Sequence, residues 1–180
     1  MDEERLIERM KHGEDEAFTR IYEKYRELVY RTACLIMGDA AGGEDVAQDT
    51  WVQVYLHIGQ LHDSSSFRPW MMQILHRAAL KVIQKRKWEV PDELILEKAD
   101  SGGSNLDGPE YSFLDKERET EILKAIAALK YKQKVVIVLY YYDELSIKEI
   151  AAVTGSTEGT VKTRLFAARR KLSKTLENMV

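Results

Sequence analysis

The chain has very little cysteine and proline, and it lacks any long apolar run. Its one cysteine, Cys34, lies in the stretch Thr32-Ala33-Cys34-Leu35-Ile36-Met37. It cannot form an internal disulfide and is expected to be a small buried residue. The four histidines, His12, His57, His62 and His76, have no cysteine or carboxylate partners at metal-ligand spacing, so no metal site is expected. No glycine-rich phosphate loop is present, and no cofactor is expected. Every apolar run is shorter than a membrane span, so no direct membrane insertion is expected. The first sixteen residues are charged throughout, which argues against a secretory leader and for a cytoplasmic protein. Net positive charge is lacking too: 27 Lys and Arg stand against 30 Asp and Glu, a formal charge of −3. That excludes a uniformly basic nucleic-acid binder, and a DNA partner would require segregated charge.

The charge is segregated. Basic residues crowd into Lys81 to Lys87 and Lys162 to Lys174; acidic ones crowd into Glu89 to Glu121 and the first thirty residues. The three prolines are Pro69, Pro91 and Pro109, and apolar residues recur at helical spacing almost everywhere else. The fold class is therefore all-α. Val90 to Pro109 breaks the pattern with an acidic stretch that includes Asp100-Ser101-Gly102-Gly103-Ser104-Asn105. It reads as a linker, with a short helix around Glu93 to Lys98. Two helical modules follow from this, 1–88 and 112–180, joined by a flexible acidic linker over 89–111.

In the first module, helices are expected near Asp2 to His12 and from Asp15 toward Met37. Gly38 to Gly43 reads as a turn before a third helix starting at Glu44. That helix buries Ala47, Trp51, Val54 and Ile58, with Asp45, Gln48, Asp49 and Gln53 off the stripe. A polar loop, Leu61-His62-Asp63-Ser64-Ser65-Ser66, precedes a fourth helix from Pro69, a residue suited to a first helical turn. On it Arg77, Lys81 and Lys85 recur every four residues, with Arg86 and Lys87 closing the run, while Ile74, Ala78 and Val82 face inward. Phe67, Trp70 and Trp88 flank this basic stripe. Charge of this kind holds a phosphate backbone, and rings offer surfaces for unstacked bases. The plainer alternative is core aromatics and solvated lysines.

The second module holds the most specific pattern. Ser146 and Glu149 form a capping box, Ile147, Ile150 and Ala151 share a face, and Gly155 suits a left-handed turn. Thr157 can cap a second helix, with Glu158 in its first turn. Val161, Leu165, Ala168 and Leu172 form its buried stripe. Lys162, Thr163, Phe166, Arg169 and Arg170 occupy the other face, where basic and hydroxyl side chains can reach phosphates and base edges. An ordinary helical hairpin with a solvated basic face is the alternative. The agreement of caps, turn glycine and charge favours a DNA-binding helix-turn-helix.

Three segments together resemble one family. Glu44-Asp45-Val46-Ala47-Gln48-Asp49-Thr50-Trp51 is similar to an "AEDLVQETF" signature. Phe67-Arg68-Pro69-Trp70, followed by Ile74, is similar to an "F-x-x-W" helix start. Leu145-Ser146 through Leu172 is similar to "LS-x-x-E-I-A … G-x-x-x-GTVKSRL-x-R-AR". In this order they resemble the extracytoplasmic-function (ECF) class of bacterial RNA polymerase sigma factors, over nearly the whole chain. The resemblance implies an alternative sigma factor that binds core RNA polymerase, recognises −10 and −35 promoter elements and promotes melting. The first module would be region 2-like and the second region 4-like. Asp45, Gln48, Asp49 and Gln53 would dock on the polymerase clamp coiled-coil, and the second module would meet the flap. His62, Ser65, Phe67, Trp70, Arg77, Lys81, Lys85 and Arg86 would engage the −10 element. Thr157, Thr160, Lys162, Thr163, Phe166, Arg169 and Arg170 would read the −35 element. The acidic linker would run through the channel that carries RNA. An anti-sigma protein is a further implied partner.

The chain departs from the family where the melting helix usually reads "AR-N-x-A-x-D". Arg77 stands for an asparagine and Lys81 for an acidic residue, and both changes add positive charge. Ala167 stands where many relatives have arginine, removing one −35 contact. Leu129-Lys130-Tyr131 replaces the usual Leu-Pro-Pro turn. Two other classes compete with this reading. A stand-alone helix-turn-helix regulator would need a dimerisation helix or ligand pocket and would bind duplex DNA by itself; the first module lacks a sustained heptad seam, and its motifs resemble the polymerase-binding pattern. An enzyme would need partners for Glu44, Asp45 and Asp49, and none accompanies them.

Overall fold

Asp15, Asp39, Asp63 and Ser146 mark the helix starts, and glycines mark two of the ends. The computed structural model describes residues 3–89 and 116–177. Among them run α1 (Glu3–Lys11), α2 (Asp15–Met37), α3 (Ala40–His57), α4 (Phe67–Glu89), α5 (Lys116–Ala127), α6 (Tyr131–Tyr141), α7 (Ile147–Thr154) and α8 (Glu158–Glu177). No strand occurs among the described residues. The expected linker from residue 90 onward and the short helix at Glu93 to Lys98 lie outside the described residues.

α2 buries Ala17, Ile21, Tyr25, Val29, Ala33 and Ile36, a stripe at helical spacing. It stops at Gly38, whose φ of 80° lies in the left-handed region and whose N–H bonds the Cys34 carbonyl at 2.8 Å. α3 then begins at Ala40, earlier than Glu44. The Asp39 carboxylate accepts from the Gly42 N–H at 2.6 Å and caps the helix. Gly42 and Gly43 are thus helical rather than part of a turn. Gly43 serves the crossing of α3 over α2, because a Cβ there would lie 2.3 Å from Cys34 Sγ and 2.8 Å from its Cα.

Two short 3-10 turns, Ile58–Gln60 and Ser64–Ser66, carry the chain into α4. α4 starts at Phe67, two residues before Pro69, so the proline falls in the first turn. Phe67, Met71, Met72, Leu75 and Ala79 are buried. In the second module α6 buries the run Val135 to Leu139, and α8 buries Val161, Leu165 and Ala168.

The capping box of α7 forms as read. Ser146 Oγ accepts from the Glu149 N–H at 3.2 Å, and the Glu149 carboxylate accepts from the Ser146 N–H at 2.8 Å. Ser146→Ala is expected to destabilise the fold by about 1 kcal/mol. Urea unfolding followed by circular dichroism checks this; an unchanged midpoint contradicts it.

The two modules are not separate bodies here. α4 packs on α7, and α2 packs on α5 and α6. One continuous apolar core runs from Ile7 in α1 to Ala168 in α8.

Candidate nucleic-acid and partner interfaces

The sequence-predicted −10 residues fall into three environments. Trp70, Arg77 and Lys81 line a groove between α3 and α4 of about 430 Å³, together with Asp49 and Gln53. Trp70 is half-buried against Phe67, with ring centroids 6.1 Å apart, and turns its remaining face to the groove. Arg77 and Lys85 are exposed on the same helix. The loop residues His62 and Ser65 are exposed as well. Asp63 shapes that loop: its carboxylate accepts from the Ser65 N–H at 3.0 Å and from the Ser65 and Ser66 hydroxyls. These hydroxyls hold the Asp63 pKa below the ordinary carboxylate value. The Ser64 hydroxyl donates to Glu8, which ties the loop to α1.

Two assignments need correction. Phe67 is 1% exposed and packs on Tyr25 and Trp70, so its ring is core and cannot receive a base. Its aromatic character was legible, but its burial depends on α2. Arg86 forms a two-pronged ion pair with Asp39, at 2.8 and 3.1 Å, and ties the end of α4 to the start of α3. Burial acts to raise the Asp39 pKa, but the Arg86 hydrogen bonds and the Gly42 N–H hold it below its ordinary value. Arg86 is therefore a structural cation before it is a phosphate ligand.

The helix-turn-helix places the sequence-predicted −35 residues along one side of α8 and at its cap. Gly155 adopts φ 61° between α7 and α8, and its N–H reaches the Ala152 carbonyl. Thr157 Oγ1 accepts from the Thr160 N–H at 3.2 Å and lies 2.9 Å from the Thr160 hydroxyl. Thr157 is thus the cap of α8, with Thr160 as its partner. Lys162, Thr163 and Arg170 are exposed. Thr163 donates its hydroxyl to the Gly159 carbonyl at 3.0 Å, leaving its oxygen lone pairs outward. Phe166 is 68% exposed, an unusual position for a phenylalanine in a monomer. Arg169 is held in place: its Nε donates to the Tyr141 hydroxyl at 2.8 Å, and its guanidinium lies over the Tyr140 and Tyr141 rings.

The polar edge of α3 divides between two grooves. Asp49 and Gln53 face α4, where Lys81 Nζ lies 3.5 Å from the Asp49 carboxylate. Asp45 and Gln48 are both exposed, Gln48 on the α2 side and Asp45 near Arg86 of α4. Gln48 lines a larger groove, about 690 Å³, with Tyr22, Arg26, Tyr30, Trp51 and Val52. From the rim of that groove outward, α3 exposes Val52 at 49%, Tyr55 at 54% and Leu56 at 63%. Sequence reasoning missed this apolar patch. Positions 52, 55 and 56 recur at helical spacing off the buried stripe, which was the available signal. Phe18, Tyr22, Trp51 and Tyr55 form a ring cluster under it, with centroids 5.0 to 6.4 Å apart.

A helix-turn-helix joined to a helical module with an aromatic-flanked basic groove is the architecture of a promoter-recognition subunit, and comparison with known proteins agrees. Residues 21–89 match the Sigma-70 region 2 family, and residues 119–172 match Sigma-70, region 4. The chain is 31% identical to the ECF RNA polymerase sigma factor SigW of Bacillus subtilis, covering 96% of each chain. It is 27% identical to the RNA polymerase sigma-H factor of Pseudomonas aeruginosa, covering 99% of this chain and 95% of that one. In fold it is similar to the sigma factor RpoE of Bartonella quintana, solved with the anti-sigma factor NepR. The TM-score is 0.69 at 23% identity, covering 89% of this chain and 96% of that one. It is also similar to CnrH, solved with the cytosolic domain of CnrY, with a TM-score of 0.67 at 21% identity over 98% and 97% of the two chains. The chain belongs to the ECF family of RNA polymerase sigma factors and is an alternative sigma factor for transcription initiation. Its family consists of DNA-binding regulators of transcription rather than enzymes. No described helix is long and apolar enough to cross a membrane.

Proposed function

We propose that residues 1–88 bind core RNA polymerase and the −10 element, that 89–111 connect, and that 112–180 read the −35 element. The carrying observation is one chain with two separate surfaces that each combine cations with an aromatic ring, the Trp70–Arg77–Lys81 groove and the exposed Lys162–Thr163–Phe166 face. The groove combines a half-exposed ring with two cations. A strand whose base leaves the stack would find a stacking surface and charge for its phosphates there; unstacking costs a few kcal/mol, which those contacts offset. Arg77 and Lys81 favour phosphate contacts over the base-selective polar contacts an asparagine and an acid would make. In α8, Lys162, Thr163 and Arg170 present the contacts of a major-groove helix. Arg169, pinned by Tyr140 and Tyr141, offers a rigid donor to the backbone.

For polymerase, the exposed patch Val52–Tyr55–Leu56 with Asp45 and Gln48 beside it is the best-suited dock on the α2–α3 side. It has an apolar centre and a polar rim, the composition of a protein interface. The clamp coiled-coil is the proposed occupant, with the flap meeting the second module. The relatives solved with NepR and CnrY support an anti-sigma partner for this chain. Work beside polymerase also places it in the cytoplasm.

Val52→Arg tests the docking surface. Val52 is half-exposed, so its melting curve should match the wild type. Binding to core polymerase, measured by fluorescence anisotropy, is expected to weaken at least about tenfold. Unchanged affinity with an intact fold places the dock elsewhere.

A further inference from the structure

Tyr141 is the last residue of α6, and it is 59% exposed. Its neighbour Tyr140 is half-buried against the core, and the two rings meet edge to face with centroids 5.0 Å apart. Tyr140 therefore fixes where the Tyr141 ring stands. Arg169 of α8 reaches this pair from 28 residues along the chain. Its guanidinium carbon lies 5.3 Å from the Tyr140 centroid and 5.4 Å from the Tyr141 centroid. Its Nε donates to the Tyr141 hydroxyl at 2.8 Å. Two rings and a hydrogen bond at Nε leave this arginine little of the rotamer freedom that a surface arginine has.

Donor arithmetic decides what the arrangement offers. A guanidinium carries five N–H donors in a planar fork. The Nε hydrogen goes to Tyr141, and the terminal nitrogens keep theirs on an exposed residue. A phenol hydroxyl has one proton to give and lone pairs to accept. At Tyr141 the arginine bonds to the oxygen, so the hydroxyl's own proton is free to donate to a further acceptor. A hydroxyl that accepts from a cation is polarised and donates more strongly. Arg169 and Tyr141 therefore present two kinds of donor side by side, one cationic and one neutral.

Position identifies the acceptor. Arg169 follows Lys162 by about two helical turns and Phe166 by about one, so the three share a side of α8. Arg169 stands where that side meets the buried Leu165 and Ala168, and α6 packs along α8, so the end of α6 reaches it. A site made of donors alone suits a phosphodiester oxygen, whereas base edges mix donors with acceptors. We propose that Tyr141 is a second donor to the DNA backbone at the −35 element, and that it and Arg169 hold one phosphate between them. This rests on the −35 reading of α8 above and adds a contact from a different helix. A backbone contact carries no sequence information, but one made from α6 fixes how α8 sits in the groove.

The experiment is equilibrium binding of the holoenzyme, the full chain with core polymerase, to a promoter duplex from which it initiates. A set of duplexes carries one methylphosphonate at each backbone position across the −35 element, removing one phosphate charge at a time. Tyr141→Phe keeps the exposed ring, so its melting curve should match the wild type. It is expected to weaken binding to the unmodified duplex about fivefold. On one methylphosphonate duplex, the same one on which Arg169→Ala has least further effect, Tyr141→Phe should cost nothing further. At every other position it should keep its cost. Salt separates the two donors. Arg169→Ala should reduce the slope of log affinity against log salt by about one, and Tyr141→Phe, which removes no charge, should leave it unchanged.

A Tyr141→Phe holoenzyme with wild-type affinity overturns the proposal. So does a cost that persists on every methylphosphonate duplex, because the hydroxyl then acts only inside the fold. Weaker binding of Tyr141→Phe to core polymerase gives the acceptor to the protein partner and overturns it as well. Lys162→Ala keeps the site distinguishable from the −35 reading. If Lys162→Ala weakens promoter binding and Tyr141→Phe does not, the phosphate site fails and the reading stands. If neither has an effect, both fail.

Discussion

Gly43→Ala is expected to destabilise the protein by about 3 kcal/mol or more, a larger effect than any surface substitution here. The reason is the α2–α3 crossing. A Cβ at position 43 would meet Cys34 Sγ at 2.3 Å, Cys34 Cα at 2.8 Å and Cys34 N at 2.9 Å. The sulfur could turn aside, but the α2 backbone cannot move without displacing Ala33 and Ile36 from the core. Cys34→Ala should therefore rescue only part of the loss. For a chain of this size the expected fall in Tm is roughly 6–12 °C. Scanning calorimetry on the single and double variants measures both numbers. Full rescue by Cys34→Ala would show that only the sulfur matters, and a single variant with wild-type Tm would show the crossing to be looser than described.

The second large effect is functional. Replacing Lys162 and Thr163 together by alanine should reduce −35-dependent initiation about ten- to a hundredfold, as expected when one or two contacts of about 1–3 kcal/mol each are lost. Both side chains are exposed on α8, and Thr163 bonds only the Gly159 carbonyl of its own helix. The fold should therefore be spared, and core polymerase affinity should be unchanged. If Lys162 holds a phosphate, the salt dependence of promoter binding should also weaken by about one ion. Loss of polymerase binding instead would mean that the DNA and protein surfaces have been exchanged.

Local chemistry made most of the helices readable. The capping box of α7, the Gly155 turn and the Thr157 cap needed only neighbouring residues, and all three form. The buried stripe of α3 followed in the same way from 3.6-residue spacing. Gly42 and Gly43 are ambiguous in sequence because glycine is common both in turns and at close helix contacts; only Arg86 of α4 beside Gly42 and Cys34 of α2 beside Gly43 tell the two apart. Phe67 misled for a similar reason, since its neighbours Tyr25 and Trp70 are set by tertiary packing. In sequence Arg86 is one more cation on a basic stripe; only the fold brings Asp39, from the α2–α3 turn, against it. The seam between the modules was beyond sequence reasoning altogether. Thr32 and Asp143, hydrogen-bonded across it, are 111 residues apart, and neither carries a motif.

On the proposed function, the groove and the helix-turn-helix face act together only when polymerase is bound, and the net acidic charge fits a chain that binds DNA weakly alone. Reconstituted transcription tests this most directly. Purified chain and core polymerase are incubated with a library of promoter duplexes, and transcripts are sequenced alongside a binding assay with the chain alone. The expected result is initiation from a subset sharing one −10 and one −35 element, with no tight binding by the free chain. Tight duplex binding by the chain alone, with no initiation from any promoter, would contradict it.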